Sequence, residues 1–296
     1  MAIWLAPSQT AHCSSGPTLL TDRRELASIS NGDLIVLSAN ESYIIDQSSL
    51  KLKAQLIHEN TFMLSFAELD NGYLATGSSN GTIMIWNKMS DYSYVRTLAG
   101  HSFSIWSMTR LANGDLASAD NEIRVWDRRD FSLKFKINYY DNGHSNMINK
   151  FLYLSNGLLA TTSWDSTVRL WEIGGENSGD FKLKKVLTGH RTLILDLIQM
   201  KKNGDLVSSD IDGAVIVWSG ANDFELKQKI EHRKRVNQVM DLGDFLVTAS
   251  YDKQIKLWQT NINSYPQNRS IEIEDPFSSM LLLKKSNKYL ASGTDN

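Results

Sequence analysis

Residues 71–86 read Asn-Gly-Tyr-Leu-Ala-Thr-Gly-Ser-Ser-Asn-Gly-Thr-Ile-Met-Ile-Trp, and this stretch is the strongest indicator of the fold. It contains an Asn-Gly pair, a short run of apolar and small residues, a second turn and an apolar run that ends in tryptophan. Asn-Gly favours the positive φ angles that tight hairpin turns require. The stretch therefore predicts two short antiparallel strands joined by a tight turn. A further strand is expected before the Asn-Gly pair, and another at Tyr94–Leu98.

This pattern repeats along the chain. Tryptophans that close short apolar runs stand 40 to 47 residues apart, at Trp86, Trp126, Trp171, Trp218 and Trp258. Trp4 closes a similar run two periods before Trp86, and Asp46 stands where the intervening tryptophan is expected. Asn-Gly pairs keep the same step, at residues 31, 71, 113, 156 and 203. A regular period of this length is typical of a repeat architecture, and seven repeats of about 42 residues account for the chain.

Composition excludes several other classes of protein. The 296 residues have a formal net charge of −2, so bulk charge argues against a nucleic-acid binder and against an acidic disordered tail. The single cysteine, Cys13, excludes an internal disulfide framework and a multi-cysteine zinc site. Neither a membrane-spanning apolar run nor a secretion signal is found. We therefore expect an intracellular protein, cytoplasmic or nuclear or both, with no membrane partner and no cofactor.

Gly-His pairs at residues 100–101, 143–144 and 189–190 precede predicted strands, with weaker forms at Ile57-His58 and Glu231-His232. Together with the Asn-Gly turns and the strand-ending tryptophans, they make the whole chain resemble the WD-repeat family. The resemblance implies an all-β, seven-bladed β-propeller with one four-stranded antiparallel blade per repeat. The single domain is expected to span residues 1–296.

The last repeat suggests how the ring closes. It stops at Tyr289–Asn296, where the second repeat continues into its tryptophan strand, and Met1-Ala-Ile-Trp4 matches the missing strand. Residues 1–20 are therefore expected to complete blade seven together with residues 274–296. Such closure would remove the open sheet edges of the arc.

In the resembled family, the Gly-His histidine joins a hydrogen-bond chain to a Ser or Thr, an Asp and the strand-ending tryptophan. The residues that match are His144, Ser163, Asp165 and Trp171; His232, Ser250, Asp252 and Trp258; His58, Ser78, Asn80 and Trp86; and His190, Asp212 and Trp218, with Asp210 in place of the serine. The set of His101, Asp120 and Trp126 lacks two turn residues, so its network is left open. An enzyme needs one site rather than several copies, and the repetition therefore favours a structural role over a Ser-His-Asp triad.

Lysines follow the fourth strand of several repeats, at residues 51–53, 134–136, 182–185 and 227–229. We expect them to face solvent and to block edge-to-edge pairing of sheets. The compact basic run from His232 to Arg235 either contacts an acidic partner or forms a solvated loop.

The resemblance also implies a binding face, formed by the Gly-His loops and the turns between second and third strands. The expected exposed positions are Met63, Trp106, Asn149, Leu195 and Asn237, then Ser79, Trp164, Ile211 and Tyr251, with Phe103 in an adjoining loop. Trp106 and Trp164 are the tryptophans that do not end a third strand. Aromatic residues on a surface are typical of protein-binding hot spots, although either tryptophan could instead be core. The sequence therefore predicts a non-catalytic scaffold that binds a protein or peptide.

Three alternatives stay open. Trp126-Asp127-Arg128-Arg129 resembles the signature of substrate receptors of cullin-RING ubiquitin ligases, with Asp127 and Arg129 as the adaptor contacts. A propeller enzyme would place its site at the central channel, but the predicted first strands contain only Asp196 and Asp241 as acidic residues. The chain could also belong to a larger protein or assembly.

Overall fold

The computed structural model describes residues 26–37, 41–58, 61–174, 181–261, 263–273, 277–282 and 290–294. These residues form antiparallel sheets whose strands pair in chain order. Sheet 1 contains β1 (Leu26–Ser28), β2 (Asp33–Val36), β3 (Glu41–Asp46) and β4 (Leu52–Ile57). Sheet 2 contains β5 (Met63–Glu68), β6 (Tyr73–Ser78), β7 (Ile83–Asn87) and β8 (Ser93–Leu98). Sheet 3 contains β9 (Ser107–Arg110), β10 (Leu116–Ala119), β11 (Ile123–Trp126) and β12 (Leu133–Ile137).

Sheet 4 contains β13 (Ile148–Tyr153), β14 (Leu159–Ser163), β15 (Thr167–Ile173) and β16 (Phe181–Thr188). Sheet 5 contains β17 (Ile194–Gln199), β18 (Leu206–Asp210), β19 (Ala214–Trp218) and β20 (Leu226–Glu231). Sheet 6 contains β21 (Val236–Asp241), β22 (Phe245–Ser250), β23 (Gln254–Gln259) and β24 (Gln267–Glu272). Sheet 7 pairs β25 (Phe277–Leu282) with β26 (Leu290–Thr294). The helical segments of this described part are two 3₁₀ turns, Lys88–Ser90 and Tyr139–Asp141.

The all-β prediction is confirmed, and the described part of the chain contains six four-stranded antiparallel sheets. The Asn-Gly turns join first to second strands as expected, and their glycines all have positive φ, between 72° and 87°. The predicted closure of a seventh blade by residues 1–20 falls outside the described residues. None of the helices in the described residues has the length and apolarity to cross a bilayer.

The strand-ending tryptophans hold neighbouring sheets together. Trp86 of sheet 2 packs in one cluster with Ile35 and Ile44 of sheet 1. Each of the other four strand-ending tryptophans likewise packs against the sheet that precedes its own, and Trp218 of sheet 5, for example, packs with Leu170 of sheet 4. The second strands lie inside their sheets and are buried along almost their whole length. Close packing against the neighbouring sheets explains their small residues. The period of the tryptophans is thus the period of sheet-on-sheet packing.

The first strands lie side by side and are tied by polar side chains. Ser65 Oγ donates to the carbonyl of Ile105 at 2.8 Å, and Ser107 Oγ accepts from the Phe151 amide at 3.0 Å. The carboxylate of Asp196 accepts from the Val239 amide at 2.9 Å. Each first strand lies at the edge of its sheet, so its outward backbone groups are free to pair with the next sheet.

Candidate protein-binding face

Two sets of connections lie on opposite ends of the sheets. The His-loop face consists of the loops that lead from one sheet into the next, which carry His58, His101, His144, His190 and His232, and of the turns between second and third strands. The Asn-Gly face consists of the turns between first and second strands and between third and fourth strands. The predicted binding residues belong to the His-loop face.

Each of the five histidines bonds to a hydroxyl in the middle of a second strand. The Nε2 atoms lie 2.6–2.8 Å from the hydroxyls of Thr76, Ser118, Thr161, Ser208 and Thr248. The strand-ending tryptophan of the same sheet donates its Nε1 hydrogen to that hydroxyl, at 2.7–3.0 Å. One buried hydroxyl therefore joins the His loop to the sheet core in five successive sheets.

The predicted hydroxyls were wrong by two residues. The prediction placed Ser78, Ser163 and Ser250 in these networks, but Thr76, Thr161 and Thr248 occupy that position. Ser163 and Ser250 instead donate to loop carbonyls, those of Asn146 at 3.1 Å and Lys234 at 2.9 Å. Residues two apart lie on the same side of a strand, and only the depth reached by the histidine ring decides between them.

Carboxylate oxygens lie within 3.1 Å of the second ring nitrogen of four histidines. Asp165 and Asp252 do so as predicted, with 2.8 Å and 3.1 Å between the carboxylate and the Nδ1 atoms of His144 and His232. His190 bonds to Asp210 at 2.8 Å, so the prediction of the exposed Asp212 was wrong.

Sheet 3 has the network that the sequence left open, with Asp120 2.9 Å from Nδ1 of His101. His58 differs from the other histidines, because no carboxylate among the described residues pairs with its Nδ1 and the Asn80 amide oxygen accepts from Ser78 and Thr82 instead.

Burial governs the ionisation of these groups. It lowers the pKa of His58 to about 4 and also lowers the pKa of His144 and His232. Burial alone would raise the pKa of Asp165, but hydrogen bonds from His144 and Thr167 outweigh that effect, and the pKa is lowered. The networks of His144 and His232 thus pair a neutral imidazole with a carboxylate at neutral pH.

Trp106 and Trp164 meet on this face, although they belong to different sheets. Their ring centroids lie 6.1 Å apart, with the ring planes inclined by 40°. They line an open groove of about 490 Å³ that extends over sheets 2, 3 and 4. The groove is lined by Ser79, Phe103, Ser104, Trp106, Asn121, Ser145, Asn146, Met147 and Trp164. Both tryptophans are half-buried, whereas Phe103 is 53% exposed.

The walls of the groove are held in place by backbone bonds. The Trp164 amide donates to the Met147 carbonyl at 2.9 Å, and Ser104 Oγ donates to the Ser79 carbonyl at 3.0 Å. Trp106 Nε1 is buried, yet no acceptor within the described residues takes its hydrogen. A buried N–H donor without a hydrogen-bond partner is costly to the folded state.

The structure does not bring all the predicted face residues together. Met63 and Asn149 are only 2% and 7% exposed, so their prediction as surface positions was wrong. Met63 packs in the core between sheets 1 and 2. The side-chain amide of Asn149 donates to the Leu195 carbonyl at 3.0 Å. Leu195, Asn237, Ile211 and Tyr251 are half-buried on sheets 5 and 6, outside the groove. The sequence prediction missed Met147 and Asn121, which carry no signal beyond their place in the loops.

The Asn-Gly face contains networks that the sequence prediction also missed. Asp33, Asp115 and Asp205 follow Asn-Gly pairs, and all three are buried. Each accepts from the asparagine two residues earlier and from a lysine of the fourth strand, namely Lys53, Lys134 or Lys227. These three lysines therefore pair with buried carboxylates, and the prediction that they face solvent was wrong for Lys227, whose side chain is 9% exposed. The triplet Asn-Gly-Asp was the available signal.

Asp127 and Arg129 also lie on the Asn-Gly face, after β11. The Asp127 carboxylate accepts from the Arg129 amide at 2.8 Å and lies 3.7 Å from Lys134. The Arg129 side chain is exposed, and no ion pair engages it within the described residues. The pair is thus placed on the face opposite to the tryptophan groove.

Four stretches of the chain, which follow the repeats described above, match a known family. Residues 68–87, 92–127, 136–172 and 224–259 match the family model described as WD domain, G-beta repeat. The chain is 24% identical over 251 residues to the nuclear distribution protein nudF of Aspergillus niger, which covers 75% of this chain and 54% of nudF. It is 26% identical over 260 residues to the ribosome biogenesis protein WDR12 homolog of Anopheles gambiae, which covers 76% of this chain and 58% of that protein. The chain therefore spans little more than half the length of these curated relatives.

Proposed function

Because this chain belongs to the WD-repeat family, we propose that it is a non-catalytic scaffold that binds a protein or peptide on the His-loop face. We place the main contact with the partner in the groove that Trp106 and Trp164 line. The observation that carries it is a pair of half-buried tryptophans, one with an unpartnered N–H donor, in an open groove. Binding hot spots are enriched in tryptophan and lie in pockets that exclude water.

The surroundings of the groove support a binding role. Its loops are fixed by the His101–Ser118 and His144–Thr161 bonds, so they lose little conformational entropy when a partner binds. The rival role, catalysis at the central channel, lacks a free acidic group among the residues considered for it. Asp196 accepts from the Val239 amide, and Asp241 accepts from the amides of Lys201 and Gly243.

Affinity purification tests this function with two double variants. Trp106→Ala/Trp164→Ala removes the groove, whereas Tyr139→Ala/Tyr140→Ala removes two exposed aromatic residues outside it, of which Tyr140 is 91% exposed. We expect partners to be lost with the tryptophan variant and retained with the tyrosine variant, while both variants stay folded. Retention of every partner by the folded tryptophan variant would contradict the proposal.

A second function is favoured by the exposure of Arg129. The Trp126–Arg129 segment could contact the propeller adaptor of a cullin-RING ubiquitin ligase through the Asn-Gly face, leaving the tryptophan groove for the substrate. Arg129→Glu should then abolish capture by the purified adaptor, and Lys201→Glu, another exposed cation of the same face, should not. Equal capture of wild type and Arg129→Glu would rule out this function.

The proposal extends to the complete ring. Residues 1–20 supply a strand of the seventh blade with residues 274–296, and the protein acts inside the cell, in the cytoplasm or nucleus. Deletion of residues 1–5 would then remove a strand together with the closure and lower the free energy of unfolding by several kcal/mol. An unchanged melting temperature after this deletion would contradict the closure.

A further inference from the structure

The charges of the His-loop face are unevenly distributed. The nine residues that line the tryptophan groove are all uncharged. The loops that lead into sheets 5 and 6 carry Arg191, Arg233 and Lys234, which are exposed and make no ion pair within the described residues. Among acidic residues of the same loops and turns, Asp210 and Asp252 are bonded to histidines, and Asp212 is exposed. The face therefore carries an uncharged groove over sheets 2 to 4 and exposed cations over sheets 5 and 6.

The two halves are adjacent because each turn touches the loop that leads into the next sheet. A Cβ atom on Gly81 would lie 2.5 Å from the His101 carbonyl, and one on Gly213 would lie 2.5 Å from the His232 carbonyl. Ser166 occupies the equivalent turn position beside Trp164 and has the same positive φ, at 69°. By this repeat geometry, the turn of Trp164 lies beside the loop of Arg191.

Contacts between turns and loops connect the loop of Arg191 to the loop of Arg233 and Lys234. The Ile211 amide donates to the Leu193 carbonyl at 3.2 Å, which joins the next turn to the loop of Arg191. Gly213 of that turn reaches the loop of Arg233 and Lys234. The Arg235 guanidinium stacks 3.9 Å above the Tyr251 ring and forms a rigid cationic platform at the end of this path.

We propose that the groove takes a peptide segment with a large apolar side chain flanked by acidic residues, with the apolar side chain against the paired rings of Trp106 and Trp164 and the acidic residues along Arg191, Arg233 and Lys234. This proposal rests on the proposed function and specifies its partner. The apolar anchor matches the uncharged groove and the half-buried rings of Trp106 and Trp164 that line it. Acidic residues match the unpaired cations, and electrostatic complementarity of this kind speeds association and selects the partner.

Display of short random peptides on phage tests the proposal, with selection on wild type and on Trp106→Ala/Trp164→Ala in parallel. We expect the wild type to enrich peptides with a large apolar residue and a net negative charge. The best peptide, made synthetically, should bind Arg233→Glu/Lys234→Glu about tenfold more weakly at low ionic strength, and the loss should shrink as salt is added. Lys182→Glu/Lys201→Glu makes the same change in net charge at exposed sites outside this face and should bind like the wild type.

The possible failures are distinguishable. Enriched peptides that are apolar but uncharged, together with unchanged binding to Arg233→Glu/Lys234→Glu, would overturn this inference and leave the proposed function standing. Enrichment that does not differ between wild type and the tryptophan variant would overturn both. A single-stranded oligonucleotide that binds more tightly than the peptide, and depends on Arg233 but not on the tryptophans, would identify the basic loops as a nucleic-acid site and overturn the inference.

Discussion

The two faces of the molecule use aromatic residues in opposite ways. On the Asn-Gly face, Tyr92 and Tyr265 are buried, and their hydroxyls donate to Asp33 and Asp205 of the preceding sheets at 2.7 Å and 2.9 Å. On the His-loop face, Trp106 and Trp164 are half-buried, and Nε1 of Trp106 has no hydrogen-bond acceptor among the residues that the structure describes. The tyrosines complete the contact between sheets, whereas the two tryptophans keep part of their ring surface exposed on an open groove. This difference is what supports the proposal of a partner site at the groove.

The largest expected effect lies at the buried carboxylate of the Asn-Gly face. Asp205→Ala leaves Tyr265, Lys227 and the Gly220 amide without their acceptor, so the free energy of unfolding should fall by about 4 kcal/mol. Asp212→Ala removes an exposed carboxylate of the same sheet and should change it by less than about 0.5 kcal/mol. Urea unfolding of both variants checks this prediction. Similar losses of unfolding free energy for the two variants would contradict the stabilising role of the Asp205 carboxylate.

A smaller effect is expected at the hydroxyl of a His-loop network. Thr161→Val removes the partner of both His144 Nε2 and Trp171 Nε1, which should lower the free energy of unfolding by about 2–3 kcal/mol. Ser163→Ala removes a bond to a loop carbonyl and should cost about 1 kcal/mol. The urea midpoints of the two variants test the position of the network, and a larger loss with Ser163→Ala would place it where the sequence prediction did.

The smallest effect concerns the histidine without a carboxylate. Since burial lowers the pKa of His58 from 6.5 to about 4, the unfolded chain takes up a proton there before the folded protein does. Stability contributed by the neutral His58 is therefore full above pH 6.5 and is lost as the pH falls towards 4. Asn80→Asp gives His58 a carboxylate at the place of Asp165, which should raise this pKa and add about 1 kcal/mol at mildly acidic pH.

Titration of His58 by NMR and urea unfolding across this pH range provide the measurement. The matching control is Asn121→Asp, which adds a carboxylate to the same face in a turn where Asp120 already serves His101. A pKa of His58 that does not change in Asn80→Asp would show that the carboxylate does not reach the ring.

The local repeat was predictable from the sequence, because turns and strand ends depend on nearby residues. Asn71-Gly72 and Trp86 define one hairpin without reference to the rest of the chain. The choice between Thr161 and Ser163 was not predictable, since both lie on one side of β14 and the length of the His loop decides. The burial of Asn149 depends on a bulge in β13 and on the carbonyl of Leu195 in the next sheet.

The meeting of Trp106 and Trp164 depends on how sheets 3 and 4 lie side by side. Each tryptophan was predicted on the face from its position within a repeat, but their 6.1 Å separation arises between repeats. The buried Asp33 and Asp205 were missed for the same reason, because Tyr92 and Tyr265 reach them from the following sheet. Contacts within a repeat follow from its pattern, whereas contacts between repeats require the structure.

The most direct test of the contrast between the faces is the free energy of unfolding of Trp164→Ala and Tyr265→Ala, measured side by side by urea denaturation. Tyr265 is fully buried and bonded, so its loss should cost about 4 kcal/mol, while the loss of Trp164 should cost about 1 kcal/mol. This result would show that Trp164 contributes little to stability, as expected for a residue that binds a partner. A loss for Trp164→Ala as large as that for Tyr265→Ala would make it a core residue and contradict the account.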